Sequence, residues 1–335
     1  MERPRAAGPT RADGLTGSGY TRGLHDVGDG LYAYLQPDGG WGWSNAGLIV
    51  DGESSLLVDT LFDLKLTGEM LDEMRRGVPQ AGTIDTLVNT HANGDHTWGN
   101  QLVGGARIVA SKQTAEEMME LPPSVLESLP ELAPQMGPTG EFMLEIFGRF
   151  DFSGIELTPP TETFDGTFEL RVGDKDVQLL EVGPAHTRGD TLVFVPDDRV
   201  LFSGDILFHG GHPIVWAGPI SNWIGACDRI LEMDVDVIVP GHGTPLHDKA
   251  LLRAHIDVMR QLLKAGKDAK ARGLDADQAK EEVLPRLHDV MVGMTRDDPK
   301  MNQQFQVYLV DWYMHRVYDE LAGPLTDAIA PIPRK

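Results

Sequence analysis

The stretch T-H-A-N-G-D-H-T-W, Thr90 to Trp98, places His91, Asp95 and His96 within six positions and sets Asn93 among them. It follows D-T-L-V-N, a short apolar run of the kind that forms a buried strand. Three later stretches repeat the arrangement, a strand-like run ending in a side chain able to bind metal. V-Q-L-L-E-V-G-P-A precedes His186, V-L-F-S-G precedes Asp205, and V-I-V-P-G precedes His242. Loops at one edge of a sheet are where layered α/β folds hold their sites, so these six side chains are expected to meet there.

Imidazoles and carboxylates without thiolates make a borderline-hard donor set, suited to Zn²⁺, in one or two copies, and also to Mn²⁺ or iron. A single histidine in a loop would read as a surface residue; the ordered set carries the argument. H-A-N-G-D-H, A-H-T-R-G-D, F-S-G-D and P-G-H-G, with L-L-V-D-T-L around Asp59, resemble the metallo-β-lactamase superfamily in order and spacing over roughly residues 24–247. The resemblance implies an αββα sandwich with two metals at its edge. Carried over, it gives the first metal His91, the residue at 93 and His186. It gives the second Asp95, His96 and His242, with Asp205 as the bridge. The family's second histidine is here Asn93, and a neutral amide oxygen is a poorer donor to Zn²⁺ than imidazole, so the first site is expected to be the weaker. Asn93 is either a weak ligand in an asymmetric dinuclear site or a neighbour of a mononuclear one built from Asp95, His96, Asp205 and His242. A site that binds metal without turnover is the third reading.

S-G-D at Asp205 resembles the thioesterase, lactonase and glyoxalase II-like branches, not the antibiotic-hydrolysing subclasses that carry cysteine there. The resemblance then implies a metal-dependent hydrolase, in which metal-bound hydroxide attacks an ester, thioester or lactone carbonyl and Asp95 orients it or shuttles its proton. His209 and His212, in F-H-G-G-H-P, are candidates to orient the substrate or protonate the leaving group, with structural hydrogen bonding as the alternative. Trp41, Trp43, Trp98, Trp216 and Trp223 accompany the metal loops in sequence. Together they point to a bulky hydrophobic or aromatic small molecule as substrate, against simple packing between loops and sheet. Arg188 is a candidate to meet a substrate carboxylate or phosphopantetheine, or else to pair with Asp190 or Asp59. Two other functions fit the same residues: a polyketide-type cyclase or lyase using the metal as Lewis acid, and a non-catalytic metal-containing binding protein.

Along the chain, residues 1–22 read as a disordered tail and 23–249 as the metallo-β-lactamase-like α/β domain. Within it, 112–160 is rich in Met, Leu, Glu and Pro and reads as a helical insertion or lid. Residues 250–335 read as a helical extension packed on the domain. Its Q-V-Y-L-V-D-W-Y-M-H-R-V-Y stretch packs on the core, closes one side of the pocket or forms a homodimer face. His255, His288 and His315 lie on these helices and are expected to be structural. A net charge of -22 repels phosphate backbones and anionic lipid heads, so neither nucleic acid nor membrane is an expected partner. The single cysteine, Cys227, allows no internal disulfide and suits a cytoplasmic location, and the sequence shows neither a signal-peptide pattern nor a membrane span.

Overall fold

Apolar side chains alternate along the strands, one set packing between the sheets and the other against flanking helices, except at the edge strand β8, where Thr167, Glu169 and Arg171 are exposed. The computed structural model describes residues 21–36, 40–294 and 310–322. The first sheet runs in order β1 (Gly23–Gly28), β2 (Leu31–Leu35), β3 (Ala46–Asp51), β4 (Ser54–Val58), β5 (Thr86–Val88), β6 (Arg107–Ser111) and β7 (Glu162–Phe164). Its first four strands pair antiparallel and the rest parallel. The second sheet comprises β8 (Thr167–Val172), β9 (Lys175–Glu181), β10 (Thr191–Val195), β11 (Val200–Phe208) and β12 (Val237–His242), antiparallel except for the β11–β12 pair.

The helices are α1 (Leu64–Gly77), α2 (Gly94–Thr97), α3 (Lys112–Glu117), α4 (Ser124–Glu127), α5 (Leu129–Leu132), α6 (Pro138–Phe147), α7 (Ile220–Glu232), α8 (Ala250–Ala271), α9 (Ala276–Met294) and α10 (Val310–Ala322). Between the sheets lie Ile49, Leu56, Val58 and Val88 from one side and Val177, Leu179, Val193 and Phe202 from the other. The alternate residues Leu48, Leu57 and Leu87 turn outward, where Met70 and Met74 of α1 cover them. On the far side, α7, α8 and α10 cover the second sheet with Trp223, Cys227, Ile256, Met259 and Tyr313. The layers are therefore αββα, the arrangement that period-2 alternation in two stacked sheets demands. The sheets approach closely at Gly47, where a Cβ would stand 2.4 Å from the Phe202 ring.

The segment 112–160 holds the short helices α3 to α6, with Pro123 capping α4 and Pro130 and Pro138 in the first turns of α5 and α6. Residues 1–20 of the expected tail, and 295–309 and 323–335 of the expected extension, lie outside the described residues. Among the described residues no helix is long and apolar enough to cross a membrane.

Candidate metal centre

The segments after β5 and β9 and the end of β12 bring the other five side chains to Asp205, which lies within β11 and does not follow it as the sequence suggested. Its carboxylate oxygens stand 3.7 Å from His91 Nε2, 3.2 Å from His96 Nε2, 3.3 Å from His186 Nε2 and 3.5 Å from His242 Nε2. Asp95 Oδ2 lies 3.3 Å from His242 Nε2 and 4.0 Å from His96 Nε2. Every one of these imidazoles has an oxygen behind it. His96 Nδ1 meets Asp59 Oδ2 at 2.9 Å, His91 Nδ1 meets Thr90 Oγ1 at 3.0 Å, and His242 Nδ1 meets the Gly40 carbonyl at 3.1 Å. His186 Nδ1 faces the Ile214 carbonyl. Such backing sets the tautomer, putting the lone pair on Nε2 where a metal would sit. The glycine of P-G-H-G is required by closeness: a Cβ on Gly241 would stand 1.8 Å from Asp205 Oδ1.

Among these groups His91 Nε2, His96 Nε2 and Asp205 Oδ1 are buried and make no hydrogen bond among the described residues. A buried polar atom without a partner costs about 1–3 kcal/mol, and a divalent cation would satisfy all three. The donor set fits one: His91, His186 and Asp205 form one cluster and Asp95, His96 and His242 another. Asp59 falls within reach of His91 and His96 as well, but its oxygens already accept from the Thr90 N–H and hydroxyl, both at 2.7 Å, and face His96 Nδ1. It orients ligands from behind.

The charges agree. Burial alone would raise Asp205, yet the four surrounding imidazoles hold its carboxyl well below the usual carboxylate range. Burial, with His96 beside it, pushes His91 well down. Burial also opposes protonation of His96 and His242, but Asp205 and Asp95 reverse it, holding His96 well above its usual range and His242 at about 9. The carboxylates thus favour positive charge here, and a metal would take the place of protons.

Asn93 caps the short turn α2, its carbonyl accepting from His96 N–H at 3.0 Å and from the Thr97 hydroxyl at 3.0 Å. Its amide Nδ2 stands 3.1 Å from His186 Nε2. Because Nδ1 of that ring donates to Ile214, Nε2 is the acceptor, and Asn93 caps the lone pair that a first metal would use. A half-turn of the amide would present Oδ1 in its place.

The sequence model of the Metallo-beta-lactamase superfamily matches residues 39–242, more than half of the 335 residues. The chain belongs to this superfamily. It is 29% identical over 139 residues to the 2,4-dinitroanisole O-demethylase subunit alpha of Nocardioides sp. (strain JS1661), covering 41% of this chain and 42% of that one. Acyl-coenzyme A thioesterase MBLAC2 of Homo sapiens is 28% identical over 105 residues, covering 30% and 37%. The linear primary-alkylsulfatase of Pseudomonas sp. (strain ATCC 19151) is 26% identical over 135 residues, covering 38% and 25%. The chain spans less than half the length of these curated relatives. Among solved structures, the stereoselective inverting sec-alkylsulfatase Pisa1 from Pseudomonas sp. gives a TM-score of 0.66 at 17% identity over 93% of this chain and 52% of that one. A metallo-beta-lactamase from Pontibacter korlensis gives 0.53 at 18% identity, covering 71% and 98%. These last two likenesses bear on the fold.

Other residues singled out in the sequence have different surroundings. Trp223 is fully buried on α7, its Nε1–H donating to the Ile206 carbonyl at 3.1 Å and its ring 6.0 Å from that of His186. It backs a candidate ligand and is not open to substrate. Trp98, 3% exposed, stacks on Phe62 at 5.2 Å in the core outside the first sheet, so it too is withdrawn from the substrate role. Trp43 is half-buried against Phe150, with centroids 4.7 Å apart. Trp41 and Trp216 are half-buried and in mutual contact. Arg188 pairs with neither Asp190 nor Asp59. Its N–H donates to Glu117 Oε2 at 2.9 Å and its guanidinium to Glu120, which commits it to a brace: Ser111 and Thr114 hydroxyls also hold the Gly189 carbonyl, at 2.8 and 3.0 Å. His209 turns Nδ1 to Thr244 Oγ1 at 2.7 Å, and His212 is buried. Sequence reading missed Glu117 and the carbonyls of Gly40 and Ile214, which carry no local signal.

Proposed function

We propose that the chain is a metal-dependent hydrolase that cleaves an ester, thioester or lactone of a bulky apolar substrate. The observation that carries this reading is the convergence of the His91, His96, His186 and His242 Nε2 atoms on Asp205, each ring steered from behind by an oxygen. His91, His186 and Asn93 would hold a first ion, Asp95, His96 and His242 a second, with Asp205 between them. Zn²⁺ fits the donors best, Mn²⁺ or iron next. Bound there, such ions supply Lewis acidity and hydroxide at neutral pH.

The chain's own groups do the rest. Asp95 is the more open carboxylate, its side chain 12% exposed against 3% for Asp205. It is therefore the group placed to orient the nucleophile and hold its proton. Asp59, Thr90 and the Gly40 and Ile214 carbonyls keep the rings in register, and burial of the histidines excludes bulk water from all but the rim. The thioesterase and alkylsulfatase among the relatives support a hydrolase.

The test is a panel of esters, thioesters and lactones in ¹⁸O-labelled water, with protein loaded with Zn²⁺, Mn²⁺ or Fe²⁺. Turnover abolished by chelator, restored by metal and leaving solvent ¹⁸O in the acid product is expected. Product without solvent oxygen would replace this reading with a cyclase or lyase. Tight binding with no turnover would leave a binding protein.

A further inference from the structure

Four rings from three separate segments meet beside the centre. Trp41 packs edge-on against Trp216 at 6.2 Å and 81°, against Phe142 at 6.0 Å and 83°, and against Phe147 at 6.4 Å and 71°. Two of the segments are tied directly to candidate metal ligands. The Gly40 carbonyl, one residue before Trp41, faces His242 Nδ1 at 3.1 Å. The N–H groups of Trp216 and Ala217 donate to the His186 carbonyl at 2.9 and 3.0 Å. The Trp41–Trp216 pair therefore spans from a ligand of one ion to a ligand of the other.

Beyond Trp41 the same segment is held rigidly. Ser44 Oγ donates to the Asp95 carbonyl, and Asn45 Nδ2 donates to the Pro240 carbonyl at 2.9 Å and the Gly243 carbonyl at 2.7 Å. Trp41 thus stands on a base fixed at Gly40, Ser44 and Asn45, each of them bonded to a candidate ligand or to a neighbour of one. The third segment is α6, which brings Phe142 and Phe147 from the 112–160 insertion. All four rings are half-buried, unlike the fully enclosed Trp223. Each ring therefore packs on the core or on a neighbouring ring and still keeps part of its surface exposed, as an aromatic side chain that receives an apolar ligand must.

We propose that Trp41, Trp216, Phe142 and Phe147 form the subsite for the apolar alkyl or aryl part of the substrate, with Phe142 and Phe147 setting the size it accepts. The proposal rests on the hydrolase reading for its catalytic consequence but not for binding. Arg188, the cation in sequence closest to His186, is already committed to Glu117 and Glu120, so it is not offered to a charged group beside the rings. The specificity determinants then reside in the insertion, away from every metal-binding motif.

The experiment compares the parent with Phe142→Ala/Phe147→Ala and, should that variant not fold, with Phe142→Leu/Phe147→Leu. A series of straight-chain acyl esters from two to ten carbons is used. In the parent kcat/KM is expected to rise by about fourfold for each methylene that the rings cover. In the variants the ratio of ten-carbon to two-carbon kcat/KM falls at least tenfold. A ratio unchanged by either variant overturns the proposal. Titration with decanol, read by tryptophan fluorescence on the same proteins, separates this from failure of the hydrolase reading. If no ester is turned over yet decanol binds the parent at least tenfold more tightly than the variant, the subsite stands and the hydrolase reading falls. Equal decanol affinity in parent and variant overturns the subsite whatever the esters show.

Discussion

Asp59 shows how much a centre of this kind depends on a residue that touches no substrate. Its backbone is held at φ 61°, in the left-handed region that aspartate and asparagine tolerate better than most residues. From there one carboxylate serves Thr90 N–H, Thr90 Oγ1 and His96 Nδ1 at 2.7, 2.7 and 2.9 Å, and through Thr90 it reaches His91. Asp59→Asn keeps the tolerated backbone and removes the charge behind His96. Metal affinity should fall by about 10- to 100-fold, measured by competition with a chromophoric chelator; a loss under about threefold would contradict the orienting role. At this scale the ligands were legible because they fall just after strand-like runs in a recognisable order, and Asp59 stood out in L-L-V-D-T-L. Its left-handed backbone and its grip on His96 were not legible, since both depend on a loop more than thirty positions away.

At the scale of elements, periodicity was informative where it was followed and misleading where it was not. Ile220, Trp223, Ile224, Cys227 and Ile230 recur at helical spacing on α7 and are all buried. That pattern marks Trp223 as core, and its closeness in sequence to Asp205 was the weaker signal. The insertion was legible as helical from composition, but the brace between Glu117 and Arg188 joins positions 71 apart and has no sequence signature. On α8, His255 is wholly enclosed; burial, with His209 nearby, lowers its pKa from 6.5 to about 3, against a weaker pull from the Phe208 backbone. The unfolded chain therefore takes up a proton at this ring near pH 6.5 and the folded chain does so only near 3. Its stability contribution is complete above about 6.5 and is lost as pH falls through that window. Urea unfolding of chelated protein at pH 7 and pH 5 should show His255→Gln losing about 2 kcal/mol less than the parent over that interval. Parallel losses in the two proteins would contradict it.

At the scale of the whole molecule, the centre joins the two sheets. His91, Asp95 and His96 follow β5 of the first, while in the second His186 comes from the β9–β10 loop, Asp205 from within β11 and His242 from the end of β12. An ion held between them would favour the folded over the unfolded chain in proportion to its affinity. The αββα layering was implied by the resemblance that the metal-loop motifs carry, and the two stacked sheets bear it out. The order of strands within each sheet could not, because pairing is settled by contacts between distant segments. On the function proposed above, the centre is asymmetric, with Asn93 weakening one of two sites. The measurement that tests this most directly is stepwise metal titration of chelator-stripped protein, parent beside Asn93→His, read as ions bound per chain and the affinity of each. The account predicts two ions in the parent, one held at least about tenfold more weakly than the other, and an Asn93→His variant in which only the weaker one tightens. A single ion in both proteins, or two ions of equal affinity in the parent, would contradict it.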